Sequence, residues 1–140
     1  MAFWDASAIV PLCCSQPATT RGRKLLGETR RMIVWWGTPV EAHSAFARLV
    51  REGHLTAAER TSAIRRLNQL RVSWDEILPS DKVRSKAEEL FDDYNVRAAD
   101  ALQLAAPLVW CRERPKRRPF VCFDERLGKV AEEVGFIVRS

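Results

Sequence analysis

Short apolar runs alternate along this chain with longer stretches whose apolar residues recur at helical spacing. Residues 1–4, 32–36, 120–123 and 136–138 read as buried strands, and 73–78 as a weaker one. A helix opens at Asp5-Ala-Ser7 and runs to about Cys14, with Pro11 tolerable only in a first turn. Residues 15–20 read as a loop and 21–29 as a basic helix. Thr38-Pro39-Val40-Glu41 has the form of a helix start: Thr38 as cap, Pro39 in the first helical position, Glu41 closing a T-x-x-E box. Ala42, Phe46, Leu49 and Val50 supply its apolar face, and Gly53 a stop. Thr56 and Glu59 repeat the box ahead of a face of Ala63, Ile64, Leu67 and Leu70. Ser80 opens a helix with Val83, Ala87, Leu90, Phe91 and Tyr94 inward.

Residues 98–110 are apolar on most sides, which marks a central helix, and Pro107 is expected to kink or shorten it. A basic loop, 112–119, precedes the strand at 120–123. A final helix at 125–134 ends at Gly135. Strands therefore alternate with helices from end to end. That order predicts an α/β fold with a parallel sheet covered on both faces, in one domain spanning 1–140. Ligands of such folds gather where the strands end.

Composition narrows the chemistry. A 46% hydrophobic, 29% charged chain of 140 residues suits one globular domain. Net charge +5 favours a polyanionic partner such as nucleic acid or an acidic protein. The four cysteines form no C-x-x-C pair and there are two histidines, which argues against structural zinc. Without a disulfide-framework spacing, reduced thiols and a cytoplasmic setting are expected. The N-terminal run is broken by Asp5 and lacks a basic leader, unlike a signal peptide, and no apolar stretch is long enough to span a membrane.

Three aspartates stand where an apolar run meets a helix: Asp5 in AFWDASAIV, Asp100 in VRAADALQLA and Asp124 in FVCFDERL. Glu41 opens another helix. Each has an ordinary structural role available, as a cap or as a partner of a helix N-terminus. As a set they are harder to absorb, because buried like charges raise one another's pKa. A divalent cation reverses that penalty, and hard oxygen donors point to Mg²⁺ or Mn²⁺. Such an ion suits attack by water on a phosphodiester. Ser7 could orient Asp5 or a ligand water, or simply serve the helix start.

These segments carry a resemblance. FWDASAIV, TPVEAHSAFARLVREG, VRAADALQLAA and FVCFDERLGKVAEEVGF make the chain similar to PIN-domain ribonucleases, specifically VapC-family toxins of type II toxin–antitoxin systems. The resemblance implies a PIN-like three-layer α/β/α sandwich, a Mg²⁺- or Mn²⁺-dependent endoribonuclease, a homodimer, and a cognate VapB-type antitoxin. It makes Asp5 and Asp100 the principal metal ligands. Glu41 would complete the acidic site and position or activate water, and Asp124 would act through water or a second metal.

Arg21, Arg23 and Lys24, and the loop cations Arg112, Arg114, Lys116, Arg117 and Arg118, fit phosphate contacts or solvated charge. Trp35, Trp36, Trp74 and Trp110 suit stacking on bases, core packing or a dimer interface, and Trp4 suits packing. Two other functions remain: a PIN-type nuclease of RNA processing, and a non-enzymatic receiver-like module. The receiver reading lacks a convincing phosphoacceptor Asp and later Lys.

Overall fold

The structure, a computed structural model, describes residues 1–140. Five strands form one parallel sheet: β1 (Ala2–Trp4), β2 (Met32–Trp35), β3 (Asp75–Ile77), β4 (Pro119–Val121) and β5 (Ile137–Arg139). Their spatial order is β3-β2-β1-β4-β5. The chain builds outward from β1 on one side, then crosses back to build β4 and β5 on the other. The order therefore reverses between β1 and β4, the place where an open α/β sheet leaves a crevice beyond its strand ends.

Seven helices cover the sheet: α1 (Ala6–Cys13), α2 (Thr19–Glu28), α3 (Thr38–Arg51), α4 (Ala57–Arg71), α5 (Asp81–Asp93), α6 (Ala98–Trp110) and α7 (Glu125–Val134). Alternation along the strands sorts the core into two layers. Phe3, Ile33, Trp35 and Phe120 face α5, α6 and α7. Ala2, Trp4, Met32, Val34 and Val121 face α1 to α4. Both faces are thus buried, as a parallel sheet requires. No helix is long and apolar enough to cross a membrane, and all four cysteines are free thiols.

Several local expectations change. Pro11 lies beyond the first turn of α1; its missing N–H leaves the carbonyl of Ser7 without its helical donor, in a helix that ends two residues later. Pro107 does not shorten α6, which continues to Trp110. The side chain of Thr38 is not a cap: Gly37 holds that position, Thr38 is already helical, and the expected T-x-x-E box does not form. The second box, Thr56 with Glu59, forms in full. Ser80 caps α5 as expected, but Phe91 on that helix is exposed. Strand β4 stops at Val121, so Cys122 and Phe123 separate it from Asp124.

Candidate active site

Each of the four acids occupies a helix start at the edge where the strands end. Asp5 follows β1 and caps α1; Asp124 caps α7 after β4. Glu41 and Asp100 lie in the first turns of α3 and α6. All four line one cleft of about 430 Å³, together with Ser7, Gln103 and Arg48. Residues separated by most of the chain length meet there because β1 and β4 are neighbours at the reversal point.

Asp5 is 3% exposed and has no cationic partner. Ser7 provides its hydrogen bonds: the backbone amide donates to Oδ2 at 3.1 Å and the hydroxyl to Oδ1 at 2.8 Å. That hydroxyl also accepts from the amides of Phe123 and Asp124, at 2.9 and 3.1 Å. One side chain thereby ties the end of β1 to the connection after β4. Burial pushes the Asp5 carboxyl up to about 6, against the opposing pull of the Ser7 bonds. Burial likewise raises Glu41 to about 7, with the charges of Asp5 and Asp100 adding to it. Asp100 is raised by burial and then by the charge of Asp124, while Arg126 and Arg97 act the other way.

Gln103 is a site residue that the sequence reading missed. It is 1% exposed, and its Nε2 donates to Thr38 Oγ1 at 3.1 Å and to Glu41 Oε2. Gln103 belongs to a helix on one face of the sheet, Thr38 and Glu41 to a helix on the other. Their contact closes over the strand ends and holds the two layers together beside the cleft. A signal was available: Gln103 follows Asp100 by three positions in an otherwise apolar helix, which puts both on one face. Its Oε1 is buried without a partner.

The donor set fits a hard divalent cation. It consists of carboxylate oxygens, none of them neutralised by an ion pair. The carboxylates are spread along the cleft, however: no three His, Cys, Asp or Glu side chains are grouped closely enough to hold an ion. Each carboxylate is held by bonds of its own. Both Asp5 oxygens are engaged by Ser7, Glu41 by Gln103, and Asp124 Oδ1 accepts from the amides of Arg126 and Leu127 at 2.9 and 3.0 Å. Asp124 is exposed and its charge already faces a helix N-terminus, so of the four it has least need of an ion.

The basic clusters lie elsewhere. Loop 112–118 precedes β4, so it sits at the edge where the strands begin, opposite the cleft. Arg21, Arg23 and Lys24 are exposed on α2 and do not line the cleft. Among the tryptophans, Trp4, Trp35 and Trp74 are core, while Trp36 and Trp110 are partly exposed.

No family model and no curated protein sequence matches the chain. Solved structures do. The VapC20 toxin of Mycobacterium tuberculosis, described as cleaving the sarcin-ricin loop, superposes with TM-score 0.69 at 14% identity, covering 98% of this chain and 97% of that one. FitAcB from Neisseria gonorrhoeae gives 0.68 at 15%, covering 100% and 97%. A toxin–antitoxin complex from Klebsiella pneumoniae gives 0.66 at 12%, covering 100% and 97%. The chain has the PIN-like fold of these structures. The three-layer α/β/α sandwich expected from the sequence is therefore the observed one. Within this PIN-like fold, the four acids occupy the crevice at the strand-order reversal.

Proposed function

We propose that this protein is a toxin endoribonuclease of the VapC kind, hydrolysing RNA phosphodiester bonds with the help of Mg²⁺ or Mn²⁺. The observation that carries the reading is the gathering of Asp5, Glu41, Asp100 and Asp124 in one cleft with none of them in an ion pair. The likeness to toxin structures supports it.

Asp5 and Asp100 would be the principal ligands, with Asp124 contributing through water or a second ion. The bound ion would supply positive charge for the phosphate and a lowered pKa for water. Glu41 would accept the proton of the attacking water on Oε1, the oxygen that Gln103 leaves free. Its raised carboxyl pKa, about 7, suits a base working near neutrality. Ser7 and Gln103 orient Asp5 and Glu41 respectively.

The toxin would work in the cytoplasm as a homodimer, held inactive by a VapB-type antitoxin. Trp36 and Leu78, adjacent where β2 and β3 end, and Val40 in the first turn of α3 are exposed apolar residues that such pairing would cover. Purified protein should cut RNA when Mg²⁺ or Mn²⁺ is added, and Asp5→Asn or Asp100→Asn should abolish the cut. Cleavage by both variants at the parent rate would sink the mechanism. Growth arrest on expression, absent in Asp5→Asn and relieved by the antitoxin, would separate a toxin from an RNA-processing nuclease.

A further inference from the structure

Loop 112–118 holds five cations, Arg112, Arg114, Lys116, Arg117 and Arg118, all exposed. None forms an ion pair; the loop's one acid, Glu113, is taken by Lys86 from α5 at 2.6 Å. Packing this much like charge into one turn works against the folded state unless a polyanion repays it.

The loop is held in a defined shape. Arg112, Glu113 and Arg117 take left-handed backbone conformations, with φ of 53°, 57° and 67°. The amide of Arg112 donates to the Val109 carbonyl at 3.0 Å, and that of Arg118 to the Pro115 carbonyl at 2.8 Å. The ring of Pro115 packs so close to Gly135 that an added Cβ there would stand 3.1 Å from its Cγ. Beside the loop, Trp110 is 39% exposed, and the Arg118 guanidinium lies 5.5 Å from its ring centroid.

We propose that this loop and Trp110 form a second RNA-binding site, which grips the substrate away from the bond that is cut. Exposed aromatic rings edged by unpaired arginines bind RNA by stacking and phosphate contact together. An acidic protein would use the charges but leave the exposed indole unexplained. Trp110 stands about 15 Å along the axis of α6 from Asp100, on the opposite edge of the sheet. The site therefore selects for RNA that is folded or long enough to reach around that edge. The inference rests on the RNA-cleaving reading for its substrate, but its test needs no cleavage.

The test uses full-length Asp5→Asn protein, so that the RNA survives, with a fluorescent RNA of about 30 nucleotides, longer than one such binding site needs. Affinity is measured by anisotropy across a salt series, with and without Arg114→Gln/Lys116→Gln/Arg117→Gln. These exposed substitutions keep a side chain and remove three charges. Binding should weaken about tenfold or more, and the slope of log affinity against log salt should fall by about 2. Trp110→Phe, which retains a smaller ring, should weaken binding with the slope unchanged. Unaltered affinity and slope in the triple variant would overturn the proposal and leave an acidic protein as the loop's partner. If the parent protein proves not to cut RNA while the triple variant still loses RNA binding, the cleavage reading fails and the second site stands.

Discussion

The hydroxyl of Ser7 donates to Asp5 Oδ1 at 2.8 Å. Because it also accepts two amides from the connection after β4, it holds Asp5 in a fixed relation to Asp124.

Ser7→Ala should therefore lower stability by about 1–3 kcal/mol, since it strips one donor from a buried carboxylate and one acceptor from two amides. It should also raise the Asp5 carboxyl above about 6, because the lost bond favoured the charged form. Thermal melts and carboxyl titration by NMR read the two effects. Ser7→Thr, which keeps the hydroxyl, should recover most of both.

Gln103→Met should keep the packing volume while removing the donor to Glu41 and Thr38. Cleavage should fall about tenfold or more through kcat, because the acid loses its orientation. Mn²⁺ affinity, measured by calorimetry, should fall as well. A parent-like kcat and affinity would show that Glu41 is positioned by other contacts.

Metal-free protein should lose stability as pH rises. Asp5 and Glu41 have folded-state pKa values of about 6 and about 7, above the ordinary 3.8 and 4.5. Between those limits the folded state binds more protons than the unfolded chain, so their contribution is full below about pH 4 and lost as pH passes 6 and then 7. For buried Asp5 the swing is on the order of 3 kcal/mol. Asp5→Asn should flatten the pH dependence in denaturant titrations. Added Mg²⁺ should act with the opposite sign, stabilising more at higher pH, because its ligands must be deprotonated. Equal slopes for parent and Asp5→Asn would refute the assignment to Asp5.

Gly37→Ala should be costly although Gly37 has an ordinary φ of −79°. Its added Cβ would lie 2.6 Å from Trp35 Nε1, closer than packed atoms approach. The indole or the start of α3 must shift, at about 1–3 kcal/mol. A shift of α3 carries Glu41 with it, so kcat should fall beyond what the change in melting temperature explains.

Much of this molecule was legible in one dimension. The alternation of short apolar runs with helical stretches predicted a parallel sheet covered on both faces, and the structure has one, with Phe3, Ile33 and Phe120 packed on one side and Trp4, Val34 and Val121 on the other. Thr56 with Glu59, and Ser80, marked true helix starts because their partners lie within one turn. Asp5, Glu41, Asp100 and Asp124 stood out as acids at helix starts for the same local reason.

Local pattern failed where a distant partner competed. Thr38 and Glu41 have capping-box spacing, yet Gln103, sixty-odd positions away, takes both side chains and leaves the box unformed. The basic loop fitted phosphate contacts or solvated charge without a place in the fold, and the direction of β4 puts it on the edge far from the acids. The sequence by itself determined which residues are acidic, apolar and helix-starting, since those properties depend on near neighbours. Only the tertiary structure decided which of them meet. That depends on the reversal of strand order between β1 and β4, where two parallel strands far apart in the chain pair and carry Asp5 and Asp124 to one cleft.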